Sequence, residues 1–373
     1  MRRPVVLNES QEAAHAPIAA ALRERRHEVF LLHGVTGSGK THIYLRLIES
    51  LMRDGRRAIV LVSEIAQTPE ALHRYSEHFP GRVAVLHSEL SARERWAIWR
   101  GIQLGRFDVV IGPRSAVFAP VPHLGLMVLD EEHEPAYKQE DRAPRYHARE
   151  VAIELGRRVG AAVVLGSATP DVVSYHLAER GVYRLETLPE RYVGPSATGW
   201  SAGVFPRVEV VDLREELKAG NSGIFSRALR EGLEQVLALG QQAILFLNRR
   251  GASTCVMCRD CGHVVKCRRC DAPMVYHTEP GELVCHLCNR RAPEPSRCPR
   301  CRGSRIGFFG VGTERVEEEV RKQLPSARVL RWDRDVTGQR GAHERIHRLF
   351  RDHRADVLVG TQMVAKALDF PLV

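Results

Sequence analysis

The chain has 373 residues, of which 44% are hydrophobic, so it is long enough for two or three domains with packed cores. Its net charge of +10 is compatible with a polyanionic partner. No apolar run approaches the length of a membrane span, and the basic start MRRPVVLNESQ lacks the apolar core of a signal peptide. We therefore expect a cytoplasmic protein without a membrane partner.

A glycine-rich motif follows the first apolar run. Residues 29–32 predict a buried strand, and residues 34–41 read GVTGSGKT, the phosphate-cradle pattern GxxxxGK[ST]. Apolar residues then recur at helical spacing, so the motif lies between a strand and a helix. Here Lys40 can reach the β- and γ-phosphates, and Thr41 can hold Mg²⁺. The predicted ATP site comprises Gly34, Gly37, Ser38, Gly39, Lys40 and Thr41. A chance glycine-rich turn is the competing interpretation.

Apolar runs alternate with helical segments through the first half of the chain. This order predicts an α/β fold, with a parallel sheet covered by helices on both faces. The predicted strands are residues 58–62, 83–86, 109–111, 126–129 and 163–165. Residues 69–79 predict one helix, and the capping box of Ser91 and Glu94 begins the next. On that second helix, Trp96 and Trp99 are predicted to pack in the core rather than to form a stacking site.

Polar clusters follow three of these strands, at the edge where ligands bind in parallel sheets. In the cluster of residues 130–133, DEEH, we expect Asp130 to hold Mg²⁺ and Glu131 to orient the attacking water. A solvated acidic face is the alternative. Residues 166–170, GSATP, could sense the γ-phosphate or form a simple tight turn. After the third strand, Arg114 and Ser115 could contact a nucleic-acid backbone. The predicted catalytic residues are Lys40, Asp130 and Glu131.

All nine cysteines lie between Cys255 and Cys301, and eight of them form four Cys-x-x-Cys pairs. In a reducing compartment this clustering favours metal over disulfides, and each pair can face one tetrahedral zinc ion. A nested arrangement assigns one zinc to Cys267, Cys270, Cys285 and Cys288. It assigns a second zinc to Cys258, Cys261, Cys298 and Cys301. Pairing of sequence neighbours is the competing arrangement. Sites made only of thiolates should be structural, and Cys255 is predicted to be a free thiol.

The pattern of composition predicts a division of the chain. Residues 189–226 are rich in Gly, Pro and Ser and predict a connector, and β–α alternation returns after residue 305. Arg249 or Arg250 could meet DNA phosphates or line the cleft between the lobes, and a solvated basic turn is the alternative. The expected parts are a first lobe (1–188), a linker (189–225), the start of a second lobe (226–251), a zinc-binding insertion (252–305) and the rest of the second lobe (306–373).

Together these motifs resemble those of superfamily-two helicases, and most closely the primosomal replication-restart helicases, the PriA family. The segments that carry the resemblance are LNESQ, GVTGSGKT, LVSEIAQTP, GPRSAVFAP, LDEEH, YKQEDRAPRYHARE, LGSATP, LFLNRRG and GTQMVAKALDF. It implies two RecA-like P-loop lobes with an inserted zinc-binding module. It also implies that Gln11 recognises adenine and that residues 137–149 form an aromatic-rich loop coupling single-stranded DNA to ATP hydrolysis. In this stretch the aromatics Tyr137 and Tyr146 can stack on bases while the neighbouring cations meet phosphates, and a surface loop with a helix start is the alternative. Ser63 and Ala367 stand where the family usually has Pro and Gly.

The resemblance implies an ATP-dependent 3′–5′ DNA helicase that acts in replication restart at stalled forks. Its cofactors would be ATP, Mg²⁺ and two Zn²⁺. Its partners would be single-stranded and forked DNA, primosome proteins and single-stranded-DNA-binding protein. The family's later arginine motif lies beyond Val373, so we expect an incomplete second lobe and weak or no unwinding. One alternative is a zinc-ribbon module that binds DNA or partner proteins and ATP but does not unwind. The other, a P-loop enzyme acting on a small molecule, is disfavoured by the acidic cluster, the second lobe and the basic charge.

Overall fold

A computed structural model describes most of the chain, namely residues 5–62, 74–87, 90–140, 143–196, 199–203, 205–221, 223–248, 254–258, 260–277, 281–309, 312–333, 336, 341–361, 364, 370 and 372–373. The chain divides into two compact units, Met1–Arg207 and Val208–Val373. Within the described residues, no helix has both the length and the apolar character that crossing a membrane requires.

The first unit is built on a seven-stranded sheet. Its strands are β1 (Val29–Gly34), β2 (Arg57–Leu61), β3 (Val83–Val85), β4 (Val109–Gly112), β5 (Leu124–Asp130), β6 (Ala162–Ser167) and β7 (Arg184–Leu188). They lie in the order β3-β4-β2-β5-β6-β1-β7, and all neighbouring pairs are parallel. The predicted parallel sheet is therefore confirmed, and β7 is an additional strand that the sequence pattern did not indicate.

Helices cover both faces of this sheet. They are α1 (Glu9–Arg23), α2 (Lys40–Arg53), α3 (Ala92–Gln103), α4 (Ala148–Val159) and α5 (Val172–Glu179), with short 3-10 helices at Arg114–Phe118 and Pro135–Tyr137. Two apolar clusters lie on opposite faces. Successive side chains of a strand point to opposite faces and so belong to different clusters. In β2, Ala58 and Val60 belong to one cluster, and Ile59 and Leu61 belong to the other. The five strands between the edge strands β3 and β7 are buried on both sides, which explains why they read as continuous apolar runs, whereas β7 is largely uncovered.

Helix α3 begins as the sequence predicts but faces solvent more than expected. The Ser91 hydroxyl accepts a hydrogen bond from the Glu94 N–H, and Glu94 accepts one from the Ser91 N–H, which completes the capping box. The predicted core packing of Trp96 and Trp99 is wrong, because these side chains are 70% and 37% exposed. The helix follows β3, a three-residue strand at the sheet edge, and buries only its other side, at Gly101 and Ile102.

The second unit contains two sheets. Its described strands in these sheets are β10 (Ala243–Phe246), β11 (Thr254–Cys258), β12 (Val275–His277), β13 (Glu282–Val284), β14 (Arg291–Ala292), β15 (Ile306–Phe309), β16 (Val329–Trp332) and β17 (Val357–Gly360). A three-stranded parallel sheet has the order β10-β17-β16, and a five-stranded antiparallel sheet has the order β14-β13-β12-β11-β15. The helices of this unit are α6 (Leu213–Lys218), α7 (Arg227–Ala238), α8 (Thr313–Gln323) and α9 (Ala342–Arg351).

The segment predicted as a connector, 189–225, has regular structure of its own. It contains the antiparallel pair β8 (Tyr192–Ser196) and β9 (Gly199–Ala202) in the first unit, and α6 in the second. Other expectations fall on residues that lie outside the described part of the chain. These are the first part (69–73) of the predicted helix at 69–79, most of the segment GTQMVAKALDF, and Ser63, Arg142, Arg249, Arg250 and Ala367. Residues 74–78 of that predicted helix are described and are helical, as expected.

Candidate nucleotide site and zinc module

The glycine-rich loop joins the end of β1 to the start of α2. Gly37 and Gly39 have φ angles of +80° and +82°, a conformation that other residues rarely adopt. A Cβ atom on Gly39 would also lie 2.2 Å from the Gln11 Nε2 atom. The Lys40 ammonium is largely buried and donates a hydrogen bond to the Gly34 carbonyl oxygen at 2.8 Å. The loop therefore curls around its own lysine, with Thr41 partly exposed at the next position.

Two further side chains complete this loop. The Ser38 hydroxyl is buried and has no hydrogen-bond partner within the described residues. Gln11 is fully buried, and its Nε2 donates to the Ser38 carbonyl oxygen at 2.9 Å. Its backbone N–H and side-chain oxygen form a capping box with Asn8 at the start of α1. Gln11 is thus held against the phosphate-cradle motif, and the Ser38 hydroxyl is a buried polar group free to bind a ligand.

Asp130 lies at the carboxyl end of β5, next to the start of α2. The Tyr44 hydroxyl donates a hydrogen bond to its Oδ1 at 3.2 Å, and Tyr44 lies one turn after Thr41. A Cβ atom on Gly166 would lie 1.8 Å from the Tyr44 hydroxyl, so glycine at this position of β6 leaves room for that contact. Burial raises the pKa of the Asp130 carboxyl, and the nearby charge of Lys40 opposes the rise. The site therefore contains a desolvated carboxylate beside a lysine, which suits a divalent cation.

Glu131 has a φ of +51°, an uncommon conformation for a residue other than glycine. Burial raises the pKa of its carboxyl, and the charge of Asp130 raises it further. His133 lies 3.6 Å from the Glu131 carboxylate, and its Nδ1 is hydrogen-bonded to the Ser167 hydroxyl at 2.7 Å. The same hydroxyl accepts a hydrogen bond from the Thr169 N–H at 3.0 Å. The structure therefore joins the segments DEEH and GSATP.

Glu132 makes a network that sequence reasoning missed. Its buried carboxylate is 2.9 Å from the Arg149 Nη1 atom and accepts hydrogen bonds from the Ser174 hydroxyl at 2.9 Å and the Asp171 N–H at 2.7 Å. The network connects the loop after β5 to α4 and α5. These partners compensate the negative charge of the Glu132 carboxylate, which would otherwise be costly to bury. Nothing in the run DEEH distinguishes this glutamate from its neighbours, so no sequence signal could have identified it.

The predicted aromatic-rich loop is only partly available for stacking. Tyr137 is fully buried, and its hydroxyl donates to the carbonyl oxygens of Leu61 at 2.9 Å and Asp130 at 2.6 Å. Arg114 also has a structural role, since its Nη1 donates to the Ala136 carbonyl oxygen at 2.9 Å and the Lys138 carbonyl oxygen at 3.2 Å. Tyr146 is half-buried and packs edge-on against Phe118, with ring centroids 5.0 Å apart. The expectation that Tyr137 stacks on bases is therefore wrong.

The eight paired cysteines of the second unit form two clusters. One contains Cys258, Cys261, Cys298 and Cys301, and the other contains Cys267, Cys270, Cys285 and Cys288. Within each cluster all sulfur atoms lie within 4.8 Å of one another, and several pairs are 3.6 Å apart. Thiolates bound to one tetrahedral zinc at ~2.3 Å would be ~3.8 Å apart. The donor sets and their spacing therefore fit two zinc ions.

Backbone amides support these clusters. The Arg269 N–H donates to the Cys267 sulfur at 3.4 Å, and this hydrogen bond is the largest of several contributions that together lower the pKa of Cys267 to about 7. The Arg300 N–H donates in the same way to the Cys298 sulfur, also at 3.4 Å. Each donor lies two residues after its cysteine, within the Cys-x-x-Cys turn. Amide donation stabilises thiolate, the form that binds metal.

Comparison with known proteins identifies the family. Residues 267–293 match the family model described as the PriA DNA helicase Cys-rich region, and residues 4–172 match that of the type III restriction enzyme, res subunit. The replication restart protein PriA of Bacillus subtilis is 50% identical over 99% of this chain and 45% of that protein. The Synechocystis PriA is 44% identical over 92% of this chain and 41% of that protein. This chain belongs to the PriA family. It spans about half the length of the curated PriA proteins that it matches.

Solved structures share the fold of this PriA-family chain. RecG bound to a three-way DNA junction has a TM-score of 0.53 at 18% identity, covering 100% of this chain and 38% of RecG. The helicase MrfA bound to DNA and AMPPNP has a TM-score of 0.51 at 15% identity, covering 99% of this chain and 46% of MrfA. At these identities the likeness concerns the fold alone. The expected α/β helicase fold is confirmed.

We expect Asp130→Asn to raise the free energy of unfolding by ~0.5–2 kcal/mol, the usual range for one stabilising change. Burial raises the pKa of Asp130 above its unfolded value, so its contribution to stability is present at low pH and lost as the pH rises through the folded pKa. At pH 7 the charged carboxylate therefore destabilises the fold. Urea denaturation at pH 7 measures the change, and the gain should shrink towards pH 4.

Asp171→Ala is a control of opposite sign. The Asp171 Oδ1 accepts a hydrogen bond from the Val173 N–H at 2.9 Å and caps α5. Partial burial opposes ionisation, but this hydrogen bond and Arg149 together lower the pKa of Asp171. Its carboxylate therefore stabilises the fold above the unfolded pKa, and the alanine variant should lose ~0.5–2 kcal/mol. A loss of stability in Asp130→Asn at pH 7 would contradict the interpretation of that site.

Proposed function

We propose that this chain is the ATP-hydrolysing core of a DNA helicase, which translocates 3′–5′ along single-stranded DNA and acts in replication restart. The observation that carries the proposal is the arrangement of the glycine-rich loop beside Asp130, linked to it by Tyr44. The proteins that the chain resembles over nearly its whole length are named replication restart protein PriA, which supports the biological setting.

The loop supplies the groups that would bind the phosphates of ATP. Lys40 would exchange its hydrogen bond with the Gly34 carbonyl for a phosphate oxygen, and the buried Ser38 hydroxyl would gain a partner. The positive end of the α2 dipole adds to this attraction. Gln11 packs on the same loop and is the residue we propose for adenine recognition. Together with Gly34, Gly37, Gly39 and Thr41, these residues form the proposed nucleotide site.

Thr41 and Asp130 are the proposed magnesium-binding residues. The carboxylate of Asp130 is desolvated, and Lys40 compensates its charge only in part. Mg²⁺, when bound, supplies positive charge to the phosphate oxygens. A bound cation would stabilise the ionised form of the Asp130 carboxylate and would thereby offset the free-energy cost of burying this charge.

Glu131 is the proposed residue that orients the attacking water. Burial and the neighbouring Asp130 raise its pKa, so its carboxylate is a better proton acceptor than an exposed glutamate. The contact between His133 and Ser167 gives a direct connection between this residue's loop and the segment GSATP. We propose that this connection lets the GSATP segment respond to the state of the nucleotide.

The two cysteine clusters are the proposed structural zinc sites. All donors are thiolates and each cluster offers four, so no position remains open for catalysis.

The proposed DNA contacts include the segment between β5 and α4. There the exposed Arg145 and the half-buried Tyr146 and Lys138 supply positive charge and an aromatic surface. Forked DNA, primosome proteins and single-stranded-DNA-binding protein remain proposals that rest on the family relationship.

ATP turnover with and without single-stranded DNA tests this function. We expect an oligo(dT) strand to raise the rate of phosphate release by the full chain at saturating MgATP, and we expect Lys40→Ala to abolish both the basal and the stimulated rates. A chain that binds MgATP but hydrolyses it at one slow rate with or without DNA would instead favour a zinc-containing binding module.

A further inference from the structure

Helix α3 carries a cluster of aromatic and basic side chains on its outward side. We define the α3 face as Arg93, Arg95, Trp96, Trp99 and Arg100. At ~100° per residue, Trp96 lies opposite the inward side of the helix, where Ile98 and Ile102 pack on the core. Arg93 and Arg100 each lie about one turn from Trp96, on either side of it along the helix, and Arg95 lies about one turn before Trp99. The arrangement is therefore two tryptophans within a frame of three arginines.

The exposure of these indole rings requires an explanation. Trp96 is 70% exposed and Trp99 is 37% exposed, whereas Trp332 in the second unit is 1% exposed. A tryptophan side chain is the largest apolar group available, and leaving two of them in water forgoes a substantial burial energy. Neighbouring exposed aromatics on one helix are typical of a binding surface rather than of scattered surface residues.

The charges on the α3 face are not neutralised. Within the described part of the chain, Arg93, Arg95 and Arg100 form no ion pair, and Arg100 bonds only to the Gln103 amide at 2.8 Å. Glu94, the acidic residue of this helix, lies on a different side and binds the Ser91 N–H at 2.8 Å. By contrast, Arg157 and Arg158 on α4 are both paired with Glu154. The α3 face thus presents unpaired positive charge around the indole rings.

This chemistry fits single-stranded nucleic acid better than duplex DNA or an acidic protein surface. Unstacked bases can stack on indole rings while their phosphates meet the arginines, but the bases of a duplex are already stacked. An acidic protein surface would satisfy the arginines and leave the two rings without a stacking partner. The distance between Arg93 and Arg100 along the helix is ~10 Å, which matches about three nucleotides at the ~3.4 Å spacing of a stacked strand.

The location of α3 agrees with this ligand. The helix follows the carboxyl end of β3, and the strands of the parallel sheet all end at the edge that carries Asp130 and the segment after Gly112. Ligands of such sheets bind at that edge. We propose that the α3 face binds single-stranded DNA through base stacking on Trp96 and Trp99 and phosphate contacts from its arginines. This inference rests on the proposed function and extends its DNA contacts to a surface outside the aromatic-rich loop.

Binding of oligo(dT) to the full chain tests the proposal, measured by fluorescence anisotropy over a range of salt. Trp96→Ala and Trp99→Ala should each weaken binding ~5–150-fold, the range for losing one base stack, and Trp96→Phe should retain most of the affinity. Arg93→Gln combined with Arg100→Gln should reduce the slope of log K against log [salt] by ~1.4, because each phosphate contact contributes ~0.7 for single strands.

Two control variants make comparable changes outside the α3 face. Arg157→Gln makes the same change at an exposed arginine that is already paired, and Leu239→Ala removes an apolar side chain that is 72% exposed in the second unit. Both should leave the affinity for oligo(dT) and the salt dependence unchanged. Thermal unfolding of Trp96→Ala, the arginine variants and the two controls should match the wild type, because these side chains are exposed. Trp99→Ala should unfold at a somewhat lower temperature, because Trp99 is only 37% exposed.

The outcomes separate this inference from the proposed function. If the wild type binds oligo(dT) and the α3 variants bind it equally well, the α3 inference is overturned and the helicase function stands. If the wild type binds no single-stranded DNA, both are overturned. If polyglutamate displaces oligo(dT) from the wild type at equal charge concentration, the surface recognises acidic polymers in general, and the base-stacking proposal is also overturned.

Discussion

Replacing Cys285 by serine is expected to lower the zinc content from two ions per chain to one and to unfold the segments that its own cluster joins, around Cys267–Cys270 and Cys285–Cys288, while the other cluster keeps its ion. The apolar cluster around these segments is small, with Val256, Met274 and Leu283 as its buried members besides the cysteines themselves. A structural zinc site supplies ~10–16 kcal/mol, which equals or exceeds the ~5–15 kcal/mol that holds a typical domain folded. Metal analysis and protease sensitivity of the purified chain measure the two effects.

Cys255→Ser is the matched control for this variant. Cys255 lies on β11, three residues before Cys258, and is predicted to be a free thiol. We expect its serine variant to keep two zinc ions and to resist protease as the wild type does. One zinc ion in Cys255→Ser, or two in Cys285→Ser, would contradict the assignment of ligands.

The double variant Cys258→Ser/Cys267→Ser distinguishes nested pairing from pairing of sequence neighbours. In the structure these two cysteines belong to different clusters, so the double variant should lose both ions. If neighbouring pairs shared one ion, Cys258 and Cys267 would belong to the same site and one ion would remain. The zinc content therefore reports the arrangement directly.

Replacing Glu131 by glutamine is expected to lower the rate of ATP hydrolysis by ~10²–10⁴-fold, the usual contribution of a positioned general base. The amide keeps the size and polarity of the side chain but cannot accept a proton from the attacking water. Affinity for MgATP should remain near that of the wild type, because Lys40 and Asp130 are unchanged. Steady-state turnover and equilibrium nucleotide binding together measure this separation of hydrolysis from binding.

The control for this variant is Glu179→Gln, at the end of α5 and exposed. It makes the same chemical change outside the proposed site and should leave turnover unchanged. A fall in MgATP affinity as large as the fall in rate would show that Glu131 binds the nucleotide or its metal instead of orienting water. Unchanged turnover in Glu131→Gln would remove this residue from the reaction.

Much of the first unit could be predicted from the sequence because its five central strands are buried on both faces, unlike the edge strand β7, which the sequence did not indicate. A strand covered by helices on two sides needs apolar residues throughout, and runs such as AIVLV at β2 therefore identify it without ambiguity. The loop after β1 is predictable for a similar reason, because positive φ angles and a close approach to Gln11 require glycine at fixed positions.

The wrong predictions concern residue types that occur both in cores and at binding surfaces. Tryptophan favours both cores and binding surfaces, and helical spacing alone did not reveal that Trp96 faces away from the sheet. Tyr137 shows the reverse error, since an aromatic near several cations looked like a stacking residue and instead bonds two backbone carbonyls inside the core. Burial decides these cases, and it depends on neighbours distant in sequence.

Glu132 illustrates a limit of a different kind. Its partners Arg149 and Ser174 are 17 and 42 residues away in the chain, and they meet only because α4 and α5 pack beside the end of β5. A run of acidic residues gives no indication of which carboxylate is directed inward. The buried network therefore became visible only in the folded structure.

The ratio of ATP turnover with and without single-stranded DNA tests the central claim most directly, measured on the full chain with Lys40→Ala as the baseline. We predict a ratio well above one for the wild type and no turnover above background for Lys40→Ala under either condition. Equal turnover with and without DNA, or turnover that survives the loss of Lys40, would contradict the claim that this chain couples ATP hydrolysis at the glycine-rich loop to DNA binding.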